Sequence, residues 1–162
     1  MEIQKIENYI MSELPLNDQI VALDFIACLR EKKLTFIKDN GYWKNKIYYL
    51  IKYQDSCVCF IAIKDPDEPE NRWTVWSDNM SSDILTEYSM EDGIKKIAWE
   101  HVDLCGNCGS CSGGSRKIIF GREFERVCGC TFRFDNPGES ELCFMKTMVE
   151  IRLHELRQKE EL

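Results

Sequence analysis

Apolar residues recur three or four positions apart in three segments of the chain, which predicts an amphipathic helix in each. In the first segment, residues 2–14, these positions are Ile3, Ile6, Ile10 and Leu14. The second begins at Asn17 or Asp18 and runs toward Lys33, and its stripe consists of Ile20, Leu23, Ile26, Ala27 and the adjoining Leu34. In the third, residues 139–159, they are Leu142, Met145, Val149, Leu153 and Leu156. A shorter helix is expected over residues 90–101.

Between the helical segments the pattern changes to runs of aromatic and β-branched residues, which is typical of strands. Four such runs are LTFIKD, KIYYLIKY, CVCFIAIK and RWTVWS, separated by turn residues such as Asn40-Gly41. We expect these runs to form an antiparallel meander, with Trp73 and Val75 on one face of the fourth strand. Later in the chain, KIIF and CTFRF predict one or two more strands.

This order of elements predicts an α+β fold with two layers, in which a mostly antiparallel sheet packs against N-terminal and C-terminal helices. With 162 residues the chain has the length of one ordinary domain. We therefore treat residues 1–162 as a single domain. Within it, the cysteine-rich loop and the strands that follow, residues 104–131, are expected to form a zinc-stapled insertion.

The charge and the cysteine content narrow the classes of partner and compartment. The formal net charge of −7 disfavours binding to nucleic acid, because a phosphate backbone repels an acidic surface. No apolar stretch approaches the ~20 residues that a membrane span needs, so we expect no membrane association. The N-terminal residues lack the pattern of a signal peptide. We therefore expect a cytoplasmic protein, whose cysteines stay reduced.

Five of the nine cysteines lie close together in the sequence and predict a metal site. They are Cys105, Cys108, Cys111, Cys128 and Cys130. The CxxCxxC spacing suits chelation of one ion, and tetrahedral zinc needs four ligands. We expect structural zinc bound by the first four of these cysteines, with Cys130 in reserve because Cys128-Gly-Cys130 is a less usual spacing. His101, four residues before the motif, is a further candidate.

Three other interpretations of this region stay open. The triple CxxCxxC also occurs in iron–sulfur proteins. A thiol/metal redox sensor would use Cys130 as the thiol that responds to oxidants. Residues 112–117 could form a nest for an anion with Arg116 and Lys117, although they lack the Lys-Ser/Thr order of a phosphate loop. The remaining cysteines are expected to be small core residues, namely Cys28, Cys57, Cys59 and Cys143.

Three segments resemble a group of uncharacterised bacterial proteins that combine a small α+β domain with a CxxCxxC loop before the last strand and helix. They are CGNCGSCSGGSRKIIFGREFERVC, TFRFDNP and MVEIRLHEL. The resemblance extends over residues 20–158 and implies an α+β fold and a metal, but no reaction. Cys128 matches the later cysteine of the group, whereas Cys130 is an addition.

The chain offers little for enzymatic chemistry. It has two histidines, His101 and His154, and neither a GxSxG nor an HExxH motif. A surplus of thiolates also predicts a closed ion rather than a catalytic one with an open position. We therefore expect a zinc-binding domain that is not an enzyme and that binds a small molecule or a protein.

Overall fold

In the computed structural model, which describes residues 5–39, 47–65, 68–104 and 114–160, five helices and seven strands follow one another along the chain. The helices are α1 (Ile6–Glu13), α2 (Leu16–Glu31), α3 (Ser82–Glu87), α4 (Asp92–Glu100) and α5 (Glu139–Glu160). The strands are β1 (Thr35–Lys38), β2 (Ile47–Tyr53), β3 (Ser56–Ile63), β4 (Trp73–Ser77), β5 (Val102–Leu104), β6 (Ser115–Ile119) and β7 (Arg122–Asp135).

The strands form one antiparallel sheet in the order β1-β2-β3-β4-β7-β5, and β6 pairs with the first part of β7. The first four strands are the predicted meander, because each pairs with the next one in the chain. β7 crosses from its hairpin with β6 into the sheet, where it lies between β4 and β5. The α+β fold class predicted from the sequence is confirmed.

Helices cover one face of this sheet. The ring of Tyr9 on α1 lies 6.4 Å from that of Tyr49 on β2, and Phe144 on α5 lies 5.0 Å from Phe132 on β7. On the outer face, aromatic rings contact one another instead and stay half-buried. Tyr48 lies 6.2 Å from Phe60 and 6.1 Å from Trp76, measured between ring centroids. Alternation along β2 and β4 therefore separates a helix-covered core from an aromatic outer face.

The stripe predicted for α2 is only partly correct. Ile26 is buried as predicted, but Ile20 is 56% exposed. Val21, Phe25 and Leu29, which the prediction left out, also turn inward. Apolar residues occur on more than one side of this helix, so their spacing alone does not identify the buried side. Cys143, predicted to be a core residue, is exposed on α5.

α5 is the longest helix, with 22 residues, and it carries charged side chains along its length. Among the helices of the described segments, none combines the length and the apolar character that a membrane crossing requires.

Candidate metal centre

Two of the five cysteines predicted to bind metal lie in the described part of the chain. Cys128 and Cys130 are both on β7, and both are half-buried. Cys105, Cys108 and Cys111 belong to residues 105–113, outside the described residues. Their part in the ligand set therefore stays a prediction.

β7 bulges where it passes β5. Val102 pairs with Phe132 and Leu104 with Val127. One residue therefore lies between the two pairs on β5, but four lie between them on β7. We call these four residues, 128–131, the β7 bulge. A bulge bends its strand and re-aims the side chains that it carries. In this protein the bulge carries the thiols of Cys128 and Cys130 past Asp103, the middle residue of β5.

The backbone has unusual φ angles at the β7 bulge, and a buried hydroxyl group stabilises this conformation. Arg126, before it, has a φ of 58°, and Thr131, at its end, has a φ of 69°. Positive φ is rare for residues other than glycine and most unfavourable for β-branched ones. The Ser77 hydroxyl on β4 donates to the carbonyl oxygen of Cys130 and accepts from the Phe132 N–H at 3.1 Å. Hydrogen bonds from the neighbouring strand thus fix the backbone beside Cys130.

The bulge brings three ligand-type side chains together. The Cys128 and Cys130 sulfur atoms and a carboxylate oxygen of Asp103 all lie within 4.8 Å of one another. The Cys130 thiol donates a hydrogen bond to Asp103 Oδ2 at 3.1 Å. Asp103 was missed at the sequence level, although it stands only two residues before Cys105. Its proximity to Cys128 and Cys130 comes from the pairing of β5 with β7, a long-range contact.

The surroundings keep the Cys130 thiol protonated when no cation is bound. Burial raises the pKa of this thiol, and the hydrogen bond to Asp103 and the charge of that carboxylate raise the pKa further. Burial also raises the pKa of Tyr48, to which Asp39, Cys57 and Cys130 add smaller contributions. Cys130 thus lies within electrostatic range of Tyr48 on the aromatic outer face of the sheet.

The three donors fit one soft or borderline divalent ion. Two sulfur atoms bound to tetrahedral zinc at ~2.3 Å lie about 3.8 Å apart, within the span observed here. Thiolates favour zinc over magnesium or calcium, and a carboxylate oxygen is an accepted zinc ligand. Three donors leave room for a fourth, and the CxxCxxC segment begins two residues after Asp103.

Other candidate residues lie apart from this group. The His101 ring packs on Phe134, with 4.6 Å between their centroids, and it does not join the donor atoms that come together in the described segments. Cys59 is fully buried on β3, where burial raises the pKa of its thiol. Cys28 and Cys57 are half-buried.

The two cations considered for an anion nest already contact protein groups. Arg116 pairs with Glu123, with 2.6 Å between Nε and the carboxylate oxygen. Lys117 is buried, and its Nζ donates to Asn79 Oδ1, to the Met80 carbonyl oxygen at 2.9 Å and to Thr131 Oγ1 at 2.8 Å. Burial lowers the pKa of Lys117, although Glu155 and the two nearby cysteines oppose the shift. Because both side chains have protein partners, the described part of this segment does not favour an anion site.

Comparisons with protein-family models, with curated proteins and with solved structures find no match to this chain.

Proposed function

We propose that this protein is a zinc-binding domain whose metal is structural and is bound by Asp103, Cys128, Cys130 and one thiolate of the CxxCxxC segment. The observation that carries the proposal is the convergence of two thiols and one carboxylate within 4.8 Å. This convergence occurs next to the residue at which the cysteine motif begins. When zinc binds, each thiol ligand gives up its proton to solvent and the sulfur coordinates the ion.

A structural role suits this donor set better than a catalytic one. Catalytic zinc has three protein ligands and keeps a position open for water or substrate. Here two described thiols, one carboxylate and three further cysteines exceed the four ligands that zinc needs. The ion would tie β5 and β7 to the segment between β5 and β6. All six cysteines in the described part are free thiols, which is consistent with the cytosolic location that we propose.

Elemental analysis of protein purified without added metal tests this proposal. We expect about one zinc per chain, as a single tetrahedral site requires. Replacing Cys128 or Cys130 by serine should weaken zinc binding by more than about 100-fold, beyond the 10–100-fold that follows loss of a group that only orients a ligand. Cys143→Ser is the matched control, because this cysteine is exposed on α5, and it should leave zinc binding unchanged.

The same preparation separates the alternatives. Iron with visible colour would replace the zinc proposal by an iron–sulfur one. Rapid loss of zinc and of titratable thiols under mild peroxide would support a redox sensor. Protein that folds without any metal, and takes up none when zinc is added, would overturn the proposal.

A further inference from the structure

Lys117 is a buried cation whose hydrogen bonds do not neutralise its charge. Its three acceptors are the Asn79 amide oxygen, the Met80 carbonyl oxygen and the Thr131 hydroxyl. All three are uncharged, and together they use the three protons of the ammonium group. Burying a charge is costly, and here the charge of Glu155 offsets part of that cost by favouring the ammonium form.

Thr131 links this cation to the β7 bulge. It directly follows Cys130, is fully buried, and holds a φ of 69°. Its hydroxyl accepts from Lys117 Nζ at 2.8 Å and from the Met80 N–H at 3.3 Å. A β-branched residue keeps such an angle only where its surroundings impose it, and such strain concentrates at functional sites. The bonds to Thr131 supply that constraint.

Side chains of α5 hydrogen-bond to the loop that carries Asn79 and Met80, two of the residues that accept from Lys117. Arg152 on α5 donates to the Asn79 carbonyl oxygen at 3.0 Å and to Glu155 at 2.7 Å. Glu155 accepts from the Ser81 N–H at 3.1 Å. The loop between β4 and α3 is therefore a rigid support, and Lys117 connects this support to the bulge.

Lys117 also places a positive charge near the proposed metal ligands. Glu155, Cys130 and Cys128 are close enough for a negative charge on each of them to favour the ammonium form of Lys117. When Cys128 and Cys130 bind an ion as thiolates, this ammonium group therefore stabilises their negative charge.

We propose that Lys117 and Thr131 are positioning residues of the metal centre, which hold the β7 bulge so that Cys128 and Cys130 face Asp103. This role rests on the zinc binding proposed above. Lys117 sets the position of Thr131 and balances the charge of the thiolates, and Thr131 fixes the backbone angle next to Cys130.

Cobalt(II) is the probe for this role, because its visible absorption reports the geometry and the sulfur ligands of a tetrahedral site. We expect Lys117→Met and Thr131→Val to weaken Co²⁺ binding by about 10–100-fold, measured by competition with a chelator. Both variants should also shift or weaken the Co²⁺ absorption bands. Thr131→Ser keeps the hydroxyl and should restore binding close to wild type. Lys96→Met, at an exposed lysine of α4, is the control for loss of one positive charge.

Each outcome of the experiment has a definite meaning. If the wild-type protein binds neither Co²⁺ nor Zn²⁺, the proposed function fails. If the wild type binds Co²⁺ and the folded variants bind it with unchanged affinity and spectrum, only the positioning role fails. Urea unfolding of the metal-free proteins establishes which variants fold. Should Lys117→Met not fold, the comparison of Thr131→Val with Thr131→Ser decides, because Thr131→Ser alone keeps the hydroxyl.

Discussion

Arg152 and Glu155 form an almost fully buried ion pair on α5 that fixes the loop after β4. Arg152 donates to Glu155 at 2.7 Å, to the Cys57 carbonyl oxygen at 3.1 Å and to the Asn79 carbonyl oxygen at 3.0 Å. Removing one partner of such a pair leaves a buried charge without compensation, which costs about 3–5 kcal/mol. The pair therefore matters more for stability than the exposed ion pairs on the surface.

Glu155→Gln is expected to destabilise the protein at pH 7 and to reduce the pH dependence of its stability. Burial alone would raise the pKa of Glu155, but hydrogen bonds from Ser81 and Arg152 and the charge of Arg152 lower it below 4.5. At pH values between the lowered pKa of Glu155 in the folded protein and its ordinary pKa in the unfolded chain, the unfolded chain binds more protons. Stability therefore rises with pH in this range. The contribution of Glu155 is complete above about pH 4.5 and is lost as the pH falls through the lower, folded pKa.

Urea unfolding from pH 7 down to pH 3 measures this effect. The wild type and Glu155→Gln should differ most at pH 7 and converge as Glu155 protonates in the folded wild type. Glu31→Gln, at an exposed acid at the end of α2, should follow the wild type throughout. A constant difference between wild type and Glu155→Gln at every pH would contradict the assignment.

At the level of elements, strand alternation predicts the meander well, but it does not predict the β7 bulge. β2, β3 and β4 are rich in aromatic and β-branched residues, so their existence and order follow from the sequence. The bulge depends on positive φ at Arg126 and Thr131, residue types that give no local signal for it. Gly129, inside the bulge, is not among the residues with positive φ. Contacts with β4, β5 and β6, which are distant in the sequence, impose this shape.

The pattern of apolar residues also did not predict the short elements α3 and β5. α3 has six residues and β5 has three, fewer than a helical or alternating period needs to be recognised. The prediction that Ile20 of α2 is buried failed for another reason, because apolar residues occur on more than one side of that helix. The position of a residue in the core is thus less predictable than the type of element that carries it.

Gly114→Ala should disrupt the β6–β7 ladder where the chain enters β6. A Cβ atom there would lie 2.6 Å from the Arg126 carbonyl carbon and 2.8 Å from the Val127 carbonyl oxygen, and Gly114 has a φ of +84°. Backbone atoms cannot move aside as a flexible side chain does. We expect a loss of more than about 2 kcal/mol in the free energy of unfolding, at the upper end of ordinary substitutions.

Gly121→Ala is the matched control for this prediction. Gly121 has a similar φ of +87°, but no atom lies within 4 Å of the Cβ position. Its substitution should therefore cost only the backbone term, about 1–2 kcal/mol. Equal losses for the two variants, measured by urea unfolding, would show that the close approach of Gly114 to β7 is not present in solution.

For the whole molecule, the sequence predicted a metal site near β7, but only folding reveals the carboxylate beside its described thiols. Cys128 and Cys130 stand out by their spacing, since cysteine is scarce and clusters are conspicuous. Asp103 is one of 28 acidic residues, and nothing local distinguishes it. Lys117 belongs to a stretch that looked suited to binding an anion, yet the fold turns it inward toward protein acceptors. Contacts between distant strands therefore determine which polar residues belong to the site.

One cluster of aromatic side chains connects α5 to the sheet. Phe144 on α5 contacts three other rings, at centroid distances of 6.1 Å to Phe120, 5.0 Å to Phe132 and 5.9 Å to Phe134. All four side chains are buried. The cluster joins α5 to the strand that carries the β7 bulge, so the packing of the layers also supports the strand that carries the proposed metal ligands.

Phe144→Ala is therefore expected to lower the free energy of unfolding by about 3–5 kcal/mol, the usual cost of deleting a buried phenylalanine ring. Phe144→Leu fills most of the space and should cost less than Phe144→Ala, because it loses mainly the ring contacts, worth about 0.5–1.5 kcal/mol for each pair. Cys143→Ala, at the exposed neighbouring position, should change stability by less than about 0.5 kcal/mol. Urea unfolding of the metal-free proteins keeps zinc out of the comparison. If Phe144→Ala were as mild as Cys143→Ala, α5 would not pack on β7 as described, and the support for the bulge would have to come from the sheet alone.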